Sequence, residues 1–207
     1  MNRIIINNKE IFPSKVVCIG RNYVEHIKEL NNETPEEMVF FIKPNSAIAN
    51  QLFFPKFANS CHYESEISFL IEENKISAVG FGLDLTLRDV QSKLKQKGLP
   101  WERAKSFDNA AVFSEFVNFN GDISELEVEL YINDELKQKG DVSMMINKPL
   151  DIMEEFCTFS SFEDGDILMS GTPSGVGQFK VGDHFIGKIL CKDELLLEVK
   201  FEVLPSH

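Results

Sequence analysis

Residues 64–72 of this 207-residue chain read Glu-Ser-Glu-Ile-Ser-Phe-Leu-Ile-Glu, a run of strand length headed by two acids. Side chains alternate across a strand, so Glu64 and Glu66 leave from one face, close enough to share a cation. Ile67, Phe69 and Ile71 continue one face, while Ser68 and Leu70 follow the glutamates on the other. An isolated Glu-x-Glu is ordinarily a solvated strand face. Here the acids head a segment that is apolar on both sides, and a charge running into a core needs a partner.

Asp84, in Phe81-Gly82-Leu83-Asp84-Leu85-Thr86, is a second acid set in an apolar strand end. Capping the helix that follows would be its plain use, but Thr86 stands better for that and leaves Asp84 in search of a cation. Glu64, Glu66 and Asp84 together offer three hard oxygen donors. That set suits Mg²⁺, with Mn²⁺ or Ca²⁺ as alternatives, and water or substrate oxygens would complete the shell. Three carboxylates outweigh one divalent ion, so the site favours cationic side chains beside it.

Around this segment the dominant signal is short strands. Lys15–Gly20, Val39–Lys43, Glu64–Glu72, Ile76–Leu85, Glu125–Ile132, Asp166–Ser170, His184–Cys191 and Leu195–Val203 carry apolar clusters or alternation bounded by Gly, Asn, Pro or Asp. Asn133-Asp134 reads as a hairpin turn leading into Glu135–Lys139. Helices are few: Tyr23–Leu30; Leu87–Lys97, with Thr86 and Asp89 as a partial capping box; and Pro149–Phe156, opened by its proline. No regular strand–helix alternation is present, so a strand-rich α+β domain is expected rather than a doubly wound sheet. The length fits one domain over residues 1–207.

A net charge of −12 argues against nucleic acid or an anionic membrane surface as partner. No apolar run reaches the roughly 20 residues that span a bilayer. Cys18, Cys61, Cys157 and Cys191 show no Cys-x-x-Cys pair, and Cys18 and Cys157 lie in apolar runs as expected core thiols. A cytoplasmic protein is expected.

Two further motifs carry chemistry. On a helix, His26 and Glu29 share a face, and a carboxylate beside an imidazole fixes its tautomer, the arrangement of a general base. The stretch Gly171-Thr172-Pro173-Ser174-Gly175-Val176-Gly177 could bring backbone N–H groups close to an anion, though it is neither a P-loop nor a dinucleotide fingerprint. Arg88 and Lys105 stand out as cations beside apolar segments.

Read together, Val17–Tyr23 with His26 and Glu29, Phe41-Ile42-Lys43-Pro44, His62–Glu66, Leu83–Gln91, Lys97–Trp101, Ala104–Phe107, Gly165–Leu168 and the Gly171–Gly177 loop run in an order that resembles the fumarylacetoacetate hydrolase family, in its small acylpyruvate hydrolase branch. The resemblance implies mixed sheets closed into a roll, a homodimer, and one divalent ion on Glu64, Glu66 and Asp84. It implies a small anionic keto acid as substrate, in a pocket formed by Arg21, Lys43, Arg88, Gln91, Gly171 and Thr172. His26, oriented by Glu29, would be the base and Lys105 the oxyanion partner. The expected reaction is hydrolytic C–C cleavage of a 2,4-dioxo acid to pyruvate and a carboxylic acid. Oxaloacetate decarboxylation, or isomerisation and decarboxylation of a hydroxy-dienedioate, is the alternative, and a silent ligand-binding scaffold the third. The Tyr23–Leu30 segment is expected to act as a lid hinged at residues 31–35.

Overall fold

The computed structural model describes residues 1–30, 33 and 35–206. Its main body is an eight-stranded mixed sheet with strand order Val39–Pro44, Lys15–Gly20, Ile167–Met169, Ser65–Glu72, Lys75–Asp84, Ala111–Phe113 and Ile48–Ala49; Val117–Asn118 also pairs with Lys75–Asp84. Ile167–Met169 runs parallel to Lys15–Gly20, and Ala111–Phe113 parallel to Ile48–Ala49. A four-stranded antiparallel sheet, Glu135–Asp141, Leu126–Ile132, His184–Cys191 and Glu194–Glu202, packs on it. Four short α-helices complete the described chain: α1 (Val24–Glu29), α2 (Arg88–Gln96), α3 (Glu102–Lys105) and α4 (Pro149–Cys157). The strand-rich α+β expectation holds.

The two-sided apolar run beginning at Ile67 finds a core on each side. Ile67, Phe69 and Ile71 meet Leu126, Val128, Leu130 and Ile132 of the second sheet, whose intervening Glu127, Glu129 and Tyr131 stay partly exposed. On the opposite face Leu70 joins Val16, Cys18, Ala78, Ile167 and Met169 under Ile4 and Ile6 of an N-terminal hairpin. Phe81 seats directly over Gly187 of the second sheet, where an added Cβ would lie 2.5 Å from the ring. That glycine sets how closely the two layers approach.

Most expected elements are present with ends moved by a residue or two. The hairpin at Asn133-Asp134 has both residues at positive φ, 50° and 67°, the turn that matches strand twist. Its second strand runs on to Asp141. Two expectations are corrected, and a third is untested. Thr86 does not cap α2: the N-cap is Leu87, without a side-chain bond, and the Thr86 hydroxyl accepts Lys105 Nζ at 2.6 Å instead. Cys157 is exposed, because it falls at the last turn of α4 beyond the buried stripe Ile152, Met153 and Phe156. The hinge of the expected lid falls largely on residues 31, 32 and 34, outside the described residues. The N-terminal hairpin and α3 were not anticipated.

Gly187→Ala should destabilise the protein by about 1–3 kcal/mol through overpacking against Phe81, read from urea unfolding. Pairing it with Phe81→Leu should recover part of that loss, because the two changes share one contact.

Candidate active site

The hairpin between Ser65–Glu72 and Lys75–Asp84 sets the geometry of the acids. Ser65 pairs with Leu83 and Glu66 with Gly82, and Asp84 N–H donates to Glu64 O at 2.8 Å, so Glu64 and Asp84 lie across from each other. All three carboxylates occupy the same sheet face whose other half is the core around Leu70. Donor oxygens of Glu64, Glu66 and Asp84 lie within 4.8 Å of one another, and the residues are at most 5% exposed.

Their charges are met unequally. Lys105 Nζ, brought in by α3, donates to Glu64 Oε2 at 2.8 Å, Asp84 Oδ2 at 2.5 Å and the Thr86 hydroxyl. Lys43 Nζ lies 2.7 Å from Asp84 Oδ1 and also donates to the carbonyls of Lys105 and Ala110. Arg88, at the start of α2, pairs with Glu64. Glu66 accepts the Gly171 N–H at 2.7 Å. Burial alone would raise Glu64, but Lys105 and Arg88 outweigh it and hold the carboxyl well below its usual range. Burial, with Asp84 and Glu64 beside it, pushes Glu66 well above that range. Glu66 is the acid least matched by protein cations. A buried set of three hard oxygen donors with one under-neutralised member fits a divalent ion that prefers oxygen.

The His26–Glu29 pair is assembled next to this cradle. Buried Tyr23 and Ile27 anchor α1 and turn His26, 6% exposed, toward the cavity. His26 Nδ1 is 3.3 Å from Glu29 Oε2, and Glu29 itself accepts the Gly175 N–H at 3.0 and 3.2 Å. A carboxylate at Nδ1 assigns the proton there and leaves Nε2 free to accept one. Burial lowers the His26 pKa, and Glu64 and Glu29 only partly oppose it. Gly175 has φ +99°, and a Cβ there would strike the Lys137 carbonyl, so only glycine allows this N–H to reach Glu29.

These groups line a cavity of about 30 Å³. The acid triad, His26, Lys105, Arg21, Arg88, Gln91 and Thr172 border it, as the sequence reading places them. Glu29 acts from behind His26. Lys43 and Gly171 do not border it, a correction to their expected substrate contact: the Lys43 ammonium is fully buried on Asp84, and the Gly171 N–H is spent on Glu66. The glycine loop does bind anions, but they are the protein's own carboxylates.

Three participants escaped the sequence reading. Lys95 and Trp101 border the cavity. Arg88, Gln91 and Lys95 fall at i, i+3 and i+7, one stripe of α2, which was signal enough for Lys95. Gln138, buried in the second sheet, accepts the Ser65 N–H at 2.9 Å and donates to Thr172 Oγ1 and Pro173 O, both at 2.8 Å. No local pattern marks it.

The profile of the fumarylacetoacetate hydrolase C-terminal region matches residues 15–196. The chain belongs to the fumarylacetoacetate hydrolase family. Within that family it is 41% identical over 188 residues to the oxaloacetate tautomerase YcgM of Escherichia coli, an alignment covering 83% of this chain and 86% of the relative. A crystal structure described as a putative fumarylacetoacetate isomerase/hydrolase from Oleispira antarctica superposes with TM-score 0.92 at 38% identity, covering 99% of this chain and all of that one. The fumarylpyruvate hydrolase of Pseudomonas aeruginosa, in complex with Mn²⁺ and pyruvate, superposes with TM-score 0.88 at 26% identity over 99% and 96% of the two chains. Membership agrees with the family resemblance read from the motifs, and a divalent-ion site agrees with the donor set.

Lys43→Met should cost about 3–5 kcal/mol of stability without added metal, because Asp84 loses a buried counter-ion. Saturating Mn²⁺ should stabilise this variant more than the parent, since the ion restores the missing positive charge; denaturant midpoints with and without Mn²⁺ measure both effects.

Proposed function

We propose that this protein is a divalent-metal-dependent enzyme of 2-oxo acids that interconverts the keto and enol forms of oxaloacetate-class substrates. The observation that carries this reading is a neutral base, His26 held by Glu29, bordering the same cavity as the buried donors Glu64, Glu66 and Asp84. Similarity to a relative named oxaloacetate tautomerase supports it.

Glu64, Glu66 and Asp84 would hold the ion, with Mg²⁺ the first choice and Mn²⁺ next, and it would supply Lewis-acid polarisation of the 2-oxo acid's oxygen atoms. The remaining work falls to the chain's own groups. His26 Nε2 takes the proton from C3, the electron pair of the broken C–H bond becomes the C2–C3 double bond, and the C=O π pair moves onto the 2-oxygen, which takes that proton back from the His26 imidazolium. Glu29 keeps the imidazole in the accepting tautomer and steadies the positive charge it acquires. Arg88, tied to Gln91 Oε1 at 2.7 Å, presents a fixed guanidinium beside the acids. Lys105 fills its three N–H directions with Glu64, Asp84 and Thr86, so it contributes to an anionic substrate oxygen only where one of those acceptors is shared.

Hydrolysis of acylpyruvates, ranked first from sequence, is the second reading. It uses the same His26 to activate water rather than a C–H bond, and similarity to the fumarylpyruvate hydrolase favours it. Decarboxylation of oxaloacetate needs little from His26, so the well-built His26–Glu29 pair weighs toward the two readings that use a base. A homodimer and a cytoplasmic location belong to the same proposal; buried unpaired Cys18 and Cys61 suit a reducing compartment.

A panel of oxaloacetate, fumarylpyruvate and acetylpyruvate, each with Mg²⁺ and with chelator, tests the proposal. Metal-dependent enol-to-keto conversion of oxaloacetate is expected; pyruvate release from the acylpyruvates without that conversion would move the assignment to hydrolase. His26→Ala should lower kcat by about 10²–10⁴-fold while leaving the calorimetric Mn²⁺ affinity in place. At saturating metal, kcat/KM should rise with pH as His26 loses its proton and level off below the ordinary imidazole value of 6.5, because burial depresses that pKa. A limb above 6.5 would exclude His26 as the free-enzyme base.

A further inference from the structure

The strand Glu135–Asp141 carries one fully buried polar side chain, Gln138, after three exposed residues in a row. Its register explains the change. Leu130 pairs with Gln138 and Tyr131 with Leu136, so Lys137 is an extra residue, a bulge. The bulge resets the alternation after exposed Leu136 and turns Gln138 inward. There the amide has one orientation. The Ser65 N–H needs an acceptor and the Pro173 carbonyl needs a donor, so Oε1 meets the first at 2.9 Å and Nε2 the second at 2.8 Å. The other Nε2 proton goes to Thr172 Oγ1 at 2.8 Å. A hydroxyl that accepts this N–H still has its own proton to place. Among the described residues that proton finds only the Pro173 carbonyl, at 3.5 Å, which already accepts from Gln138. Thr172 borders the cavity, and Gln138 does not.

We propose that Gln138 is a positioning residue that fixes the Thr172 hydroxyl as a hydrogen-bond donor to an anionic oxygen of the substrate. This rests on the reading of the site as a 2-oxo acid enzyme and deepens it, by assigning a polarity to one wall of the cavity. With the amide in place, the hydroxyl proton is kept free for the ligand, and no protein hydrogen bond has to break when an anion arrives. The reverse polarity would set a hydroxyl lone pair against an anionic oxygen. The same strand seats the Thr172–Pro173 segment from a second side. A Cβ at Gly140 would lie 2.7 Å from Pro173 Cβ and 3.1 Å from the Tyr23 ring, so glycine there lets both pack against the backbone.

Calorimetry of oxalate binding to the Mn²⁺-loaded protein tests this, because oxalate presents acceptor oxygens as a 2-oxo acid does and is not enolised. Thr172→Val removes the hydroxyl and keeps the shape; it should weaken oxalate about tenfold, the loss of one hydrogen bond to a charged acceptor. Gln138→Met keeps the length without the amide and should cost about the same, and the double variant should lose no more than Thr172→Val alone. With oxaloacetate, KM should rise about tenfold in Gln138→Met while kcat and Mn²⁺ affinity stay within about threefold of the parent. A purely structural role predicts the opposite split: a loosened loop frees Gly171 from Glu66 and Gly175 from Glu29, so Mn²⁺ affinity and kcat would fall. That split, losses that multiply in the double variant, or parent-like oxalate binding in Thr172→Val would each overturn the proposal. Where Gln138→Met does not fold, Gln138→Glu replaces it. Its carboxylate keeps the shape but accepts the Thr172 proton, so oxalate should weaken at least about tenfold, and parent-like binding would overturn the proposal. A parent that shows the Gln138–Thr172 coupling without converting oxaloacetate would sink the catalytic reading alone. Conversion of oxaloacetate with multiplied losses would sink the positioning role alone.

Discussion

Three carboxylates buried on one face of one sheet are the condition to which the rest of the structure answers. Glu64, Glu66 and Asp84 are each at most 5% exposed, and unpaired carboxylates at that depth would be driven to protonate or to unfold the chain. The surrounding elements supply compensation from distant parts of the sequence. Val39–Pro44 delivers Lys43, α2 delivers Arg88, α3 delivers Lys105, and the loop after Ile167–Met169 delivers the Gly171 N–H. The three cations fall on Glu64 and Asp84. Glu66 receives only the neutral Gly171 N–H among these, and this imbalance suits the place to a divalent ion better than a closed salt-bridge cluster would.

The same loop ties the ion site to the base. Gly171 holds Glu66, Gly175 holds Glu29, and Thr172 between them borders the cavity. Gln138 pins this loop to the acid strand by accepting from Ser65 N–H while donating to Thr172 and Pro173. A movement of Gly171–Gly177 would shift both a metal donor and the group that orients His26. The second sheet is therefore more than a cover for the core, since its strand Glu135–Asp141 sets the spacing between the two halves of the chemistry.

What the sequence revealed follows from how local each feature is. Strand alternation put Glu64 and Glu66 on one side, and helix spacing put His26 beside Glu29, because both relations span three residues or fewer. The placement of Asp84 opposite Glu64 depends on hairpin register, which a shift between Leu70 and Ile71 makes unreadable from alternation alone. The family resemblance put Lys43 in the pocket, and a strand pattern could not correct it, since it does not say which charged residue turns inward to meet an acid forty-one positions away. Thr86 was misassigned as a cap for a related reason: a local bond to the helix was available, but the ammonium of Lys105 offered a stronger, charge-assisted one. Tertiary partners decided each of these.

A buried acid triad beside a histidine–carboxylate pair does not by itself separate the family's reactions. A carboxylate-held ion and a histidine base serve enolisation when the base meets a C–H bond, and hydrolysis when it meets water. The difference lies in how the substrate's far end is held, since that fixes which atom comes to rest against His26 Nε2. In this chain the cavity is bordered by Arg21, whose backbone is left-handed, and by Lys95, whose Nζ lies 5.0 Å from the Trp101 ring centroid. The charges that border the cavity, more than the identity of the acid triad and the His26–Glu29 pair, are therefore where the family's reactions would be told apart.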